Sequence, residues 1–146
     1  MRDQKQCLDK KELVEKLKTF LETRKEIHFA YLFGSFLEED HFRDIDVGIY
    51  VDETEPITRG TFYDIELSTE IESFAKFPVD IIVLNRESSS MVFNASKGEL
   101  LKNTDDELRE NFVTMHWKMY WDWRVSTAYH FGGNNSRPLL EKELSL

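Results

Sequence analysis

A chain of 146 residues, 40% hydrophobic and 32% charged, has the make-up of one soluble globular domain with enough apolar content for a core. Its formal net charge of −9 argues against gripping an extended nucleic-acid backbone, which takes a basic surface, and favours a bound cation or a basic partner. No apolar run approaches the roughly 20 residues of a membrane span, and the lone cysteine, Cys7, excludes an internal disulfide and suits a cytoplasmic setting.

In "LDKKELVEKLKTFLETRK" the residues Leu13, Val14, Leu17, Phe20 and Leu21 recur at helical spacing, which predicts a helix over 9–25. Asp9 with Glu12 three residues on reads as its capping box. "IHFAYLF" (27–33) is a strand closed by Gly34-Ser35. "DIDVGIYV" (44–51) alternates, with Ile45, Val47, Ile49 and Val51 on one face and Asp44, Asp46, Gly48 and Tyr50 on the other.

After an acidic loop, a helix is expected over 58–76, with Phe62, Ile65, Leu67, Ile71 and Phe74 as its apolar positions. "PVDIIVL" (78–84) is a third strand, with proline at its start, where a missing N–H is tolerated. A short helix and a strand or turn near Leu100-Leu101 follow, then a long helix over 105–131. Gly132-Gly133 stop that helix, so residues 1–131 form the domain and 132–146 a tail. The order predicts an α+β fold, a small mixed sheet with packed helices.

The chemistry concentrates where the second strand begins. Residues two apart in a strand project together, their Cα atoms about 6.5–7 Å apart, so Asp44 and Asp46 share a face. Such close carboxylates repel unless cations lie between them. Asp80 is the acid of the third strand and points away from Val79, Ile81 and Val83, which gives three acids on two strands, a set suited to Mg²⁺. A strand ending in Gly34-Ser35 and entering a short helix offers N–H groups and a hydroxyl to a phosphate.

Across roughly residues 27–112, "FGSFLEEDHFRDIDVGIYV", "FPVDIIVLN" and "MVFNASKGELLKNTDDELRENF" resemble the minimal nucleotidyltransferases of the polymerase-beta superfamily. The shared pattern is apolar-Gly-Ser, a spacer, Asp-x-Asp, and a third Asp on the next strand. The resemblance implies a polymerase-beta-like nucleotidyltransferase fold, with ATP as substrate and Mg²⁺ on Asp44, Asp46 and Asp80. Gly34 and Ser35 would hold the phosphates.

Stand-alone members of this family serve as antitoxins beside HEPN-type RNase toxins, which implies transfer of AMP to a tyrosine of such a partner. Family members commonly carry Arg-x-x-Gly after Gly-Ser, whereas this chain has "FLEED". Glu38, Glu39 and Asp40 therefore fall near a bound triphosphate, and His41 and Arg43 are the cations at hand. The same acidic segment suits a second reading, a catalytically degenerate member that binds and neutralises a basic partner.

"MHWKMYWDW" (115–123) is the densest aromatic stretch. Trp117, Tyr120 and Trp121 at helical spacing fit packing on the sheet, and Trp123 is left for a homodimer or partner contact. The pairs Arg109/His116 and Arg124/His130 match the spacing of HEPN ribonucleases, but one helix is not a HEPN bundle, and that function is set aside. His28 reads as a structural strand histidine, and Tyr63 and Tyr129 are the tyrosines weighed as nucleotide acceptors.

Overall fold

The computed structural model describes residues 2–38 and 43–129. Four strands, β1 (Ile27–Phe33), β2 (Ile45–Val51), β3 (Val79–Val83) and β4 (Glu99–Asn103), form one sheet in the order β3-β2-β1-β4. β1 pairs antiparallel with β2 and β4, and β2 pairs parallel with β3, so the sheet is mixed as expected. The parallel pair needs a crossover, supplied by a 3₁₀ turn (Pro56–Arg59) and α3 (Tyr63–Ala75).

Helices cover both faces. On one, Leu13, Leu17 and Leu21 of α1 (Arg2–Glu22) and Tyr63, Leu67, Ile71 and Ala75 of α3 pack on the odd-numbered residues of β2 and β3. On the other, Phe29, Tyr31 and Phe33 of β1 meet Val92 and Ala95 of α4 (Ser89–Ser96) and Phe112 and Val113 of α5 (Asp106–Thr127). β1 is central and covered on both sides, which is why "IHFAYLF" is a continuous apolar run rather than an alternating one.

Several boundaries differ from the sequence reading. α1 already runs from Arg2, so Asp9 lies inside the helix and is not its cap. The helix expected over 58–76 is broken by Gly60, which is extended, and restarts at Tyr63. Its buried stripe is Tyr63, Leu67, Ile71 and Ala75, a clean i, i+4 row, while Phe62, Ile65 and Phe74 are exposed. Of the strand or turn expected near Leu100-Leu101, the structure has the strand, β4.

Two side-chain features fix how the sheet edge meets the helices. A Cβ on Gly98 would collide with the carbonyl oxygen of Leu32, so only glycine lets the turn into β4 lie against β1. Lys102 is buried, and its Nζ donates to the carbonyls of Leu21 (2.9 Å) and Arg24 (2.8 Å) at the end of α1. Each carbonyl also accepts a backbone N–H of the turn, from Arg24 (3.1 Å) and Ile27 (3.3 Å) respectively, and a cation there suits the helix dipole. Lys102→Met is expected to destabilise the protein by about 1–3 kcal/mol in urea unfolding, because two charge-assisted hydrogen bonds that tie β4 to the end of α1 are lost.

Candidate functional site

Three chain segments converge where β1 ends and β2 and β3 begin. Phe33 faces Asp46 across the β1–β2 ladder, and Asp46 faces Asp80 across the parallel β2–β3 ladder. Neighbouring strands lie about 4.8 Å apart, so these two carboxylates spring from adjacent backbone positions on the α4/α5 side of the sheet. Asp46 is half-buried and Asp80 is exposed. The ladder starts at Ile45, so Asp44 sits exposed just ahead of the strand and the pleat orients Asp46 but not Asp44.

The three acids act on one another. Burial, then the charges of Asp44 and Asp80, hold the Asp46 carboxyl above its ordinary range. A cation on this face would relieve that repulsion, so the donor chemistry suits a hard divalent ion. Among the described residues, however, no three His, Cys, Asp or Glu side chains are gathered closely enough to hold a metal.

Gly34 is bound to this geometry in a way the sequence did not disclose. It adopts φ +87°, and a Cβ on it would run into the Asp46 carboxylate. The turn after β1 therefore folds directly onto Asp46, a closeness open only to glycine. Ser35 is the first residue of α2 (Ser35–Glu38), whose turn is closed by the Leu37 N–H donating to the Gly34 carbonyl (3.1 Å). Arg43 is exposed beside Asp44. Glu39, Asp40 and His41, and the side chain of Glu38, lie outside the described residues, as do His130 and the 132–146 tail.

The remaining singled-out residues divide cleanly. Arg109 donates from Nη1 to the Tyr31 hydroxyl (3.1 Å) and pairs with Asp106 (3.5 Å). His116 is buried, with Nδ1 2.9 Å from Ser89 Oγ and its ring against Phe112. Arg109 and His116 thus join α5 to β1 and α4. His28 stands 3.9 Å from Asp52, a strand histidine as expected. The Tyr63 hydroxyl donates to Glu26 (2.8 Å); burial and then Glu26 raise its pKa, so it is committed to the core, whereas Tyr129 is open.

The aromatic segment packs on α4 rather than on the sheet. Phe93 lies 4.5 Å from the Trp117 ring and 4.3 Å from the Tyr120 ring, and Trp117 Nε1 donates to Ser96 Oγ (2.7 Å). Phe112, a turn earlier, is the aromatic that reaches Phe29 and Tyr50 of the sheet.

Burial lowers the His116 pKa below its ordinary 6.5. The unfolded chain then takes up a proton that the fold resists, so this contribution is present above pH 6.5 and is lost as pH falls below it. His116→Gln is expected to flatten stability between pH 6.5 and 5 in thermal melts, while the wild type loses stability over that interval.

A mixed sheet that folds a Gly-Ser turn onto an aspartate of β2, and sets a second aspartate opposite on β3, has the frame of a nucleotidyltransferase. Residues 15–107 match the Polymerase beta, Nucleotidyltransferase family, more than half of the chain, and the chain belongs to that family. No curated protein matches it in sequence.

Solved structures share the fold. One, a toxin–antitoxin crystallised with AMP-PNP, is 20% identical with a TM-score of 0.65, over 80% of this chain and 93% of that one. Another comes from a complex of a tri-AMPylated Shewanella oneidensis HEPN toxin with its MNT antitoxin, at 19% identity and TM-score 0.60, over 85% and 93% of the two chains. A chain of the MntA–HepT toxin–antitoxin matches at 18% and 0.59, over 84% and 92%. Within the described residues no helix is long and apolar enough to cross a membrane.

Proposed function

We propose that this chain is a Mg²⁺-dependent nucleotidyltransferase that moves AMP from ATP to a hydroxyl on a partner protein, a HEPN-type toxin, in the cytoplasm. The observation that carries the reading is the Asp46–Asp80 pair on adjacent strands with Gly34 folded against Asp46. The family supports nucleotidyl transfer, and the AMPylated toxin in one structural relative supports the acceptor class.

In this reading Asp44, Asp46 and Asp80 would hold the metal, and Gly34 and Ser35 would receive the phosphates, with Arg43 as the nearby cation. When bound, Mg²⁺ neutralises triphosphate charge and stabilises the leaving oxygen. The acceptor hydroxyl oxygen forms the new bond to the α-phosphorus, the α–β phosphoanhydride bond breaks, and pyrophosphate leaves. Asp80, the more exposed of the cross-strand pair, takes the hydroxyl proton.

The acidic run Glu38-Glu39-Asp40 beside Ser35 favours a second reading, a partner-binding module that has lost catalysis. Titration calorimetry separates the two. ATP binding that requires Mg²⁺ and vanishes with EDTA supports the transferase. No binding under either condition moves the assignment to the binding module.

A further inference from the structure

We propose that the exposed ridge of α5 pairs two copies of this chain into an antiparallel homodimer. Met115, Met119 and Trp123 are 50%, 52% and 58% exposed, and they stand four residues apart in one row. Rows of this spacing interlock with their own kind at a helix crossing near −50°, the commonest way two helices pack. Single exposed apolar residues need no explanation, but three in a row on an otherwise strongly charged chain do.

The flank of the ridge selects a second copy as the occupant. Lys118 and Asp122 are both exposed, four residues or about 6 Å apart on one side of the row. Turning a second α5 antiparallel about an axis between them brings Lys118 opposite the partner's Asp122, and repeats the pair in reverse. Opposite charges thus meet twice, the self-complementarity a two-fold interface requires.

The other flank offers space. A cavity of about 320 Å³ lies among Ser88, Ser89, Ser90, Met119, Tyr120 and Trp123. It is bounded by aromatic and thioether groups beside the ridge. An incoming methionine, unbranched and adaptable, suits such a recess, and the antiparallel arrangement brings the partner's Met119 level with it. The ridge is narrow next to a standard interface of roughly 800 Å² per partner, so the dimer is a micromolar one rather than an obligate one. It uses none of the residues assigned to nucleotide or metal, and does not depend on whether that site is active.

Sedimentation equilibrium over a micromolar concentration series tests this directly. The wild type is expected to pass from monomer to dimer, and Met119→Lys to stay monomeric with an unchanged melting curve. Lys118→Asp and Asp122→Lys are each expected to weaken dimerisation about tenfold, and their combination to restore it, which guards against reading a folding defect as lost pairing. Met119→Cys in a Cys7→Ser background is expected to cross-link two chains on mild oxidation. A wild type that remains monomeric throughout, including one whose ridge is covered only when a different protein is added, overturns the proposal. So does a double charge swap that fails to restore what the single swaps remove.

Discussion

Gly34→Ala is expected to remove ATP binding and to cost the fold about 1–3 kcal/mol, a few degrees in melting temperature. Two effects add at this position. An L-residue is strained at φ +87°, and the new methyl group would occupy the place of the Asp46 carboxylate. Relief would come only by swinging Asp46 aside or lifting the turn off β2, and either change dismantles the proposed phosphate and metal site. Calorimetric titration with ATP and Mg²⁺, beside thermal melts, checks both parts. A Gly34→Ala protein that binds ATP as the wild type does would separate the turn from the nucleotide.

Asp46→Asn is expected to lower nucleotidyl transfer by at least about 10³-fold while leaving the protein somewhat more stable at neutral pH. The two halves of this prediction have one cause. Asp46 is held against its preference as an anion, half-buried and next to Asp44 and Asp80. Its folded pKa lies above the ordinary 3.8, so the penalty sets in as pH rises through that range and is complete above the folded value. Removing the charge is expected to raise stability at pH 7, and to change nothing at pH values where Asp46 is protonated in both states. Melting curves at pH 7 and near pH 3, with and without Mg²⁺, measure it. Saturating Mg²⁺ is expected to narrow the difference by stabilising the wild type.

Much of this arrangement was legible in the residues. The strict alternation of "DIDVGIYV" put Asp46 opposite the core face, and the single acid of "PVDIIVL" put Asp80 on the same side. The pairing register then sets the two directly opposite each other, a juxtaposition that local patterning permits but does not fix. Asp44 was harder, since alternation extends one residue beyond the ladder and only backbone pairing shows that β2 starts at Ile45.

The rest depended on contacts between distant segments. α3 was misjudged because Phe62, Ile65 and Phe74 are the more hydrophobic residues, whereas tertiary packing buried Tyr63 and Ala75. Hydrophobicity marks what prefers burial and cannot show which face a neighbour covers. Nothing in the sequence around Lys102 marks it as buried, yet the end of α1 supplies two carbonyls that hold it inside. The Gly34–Asp46 contact joins a turn to a strand 12 positions later, and no spacing rule foretells that a missing Cβ at one makes room for the carboxylate of the other.

If the Asp46–Asp80 site transfers a nucleotide, the phosphorus that moves is the α-phosphorus of ATP. Purified wild type would be incubated with Mg²⁺ and a HEPN-type partner, in parallel with ATP labelled at the α- and at the γ-phosphate. The α-label is expected to become covalently attached to the partner, the γ-label to leave with pyrophosphate, and Asp46→Asn to attach neither. Attachment of γ-label, or α-label transfer that persists in Asp46→Asn, would contradict nucleotidyl transfer at this site.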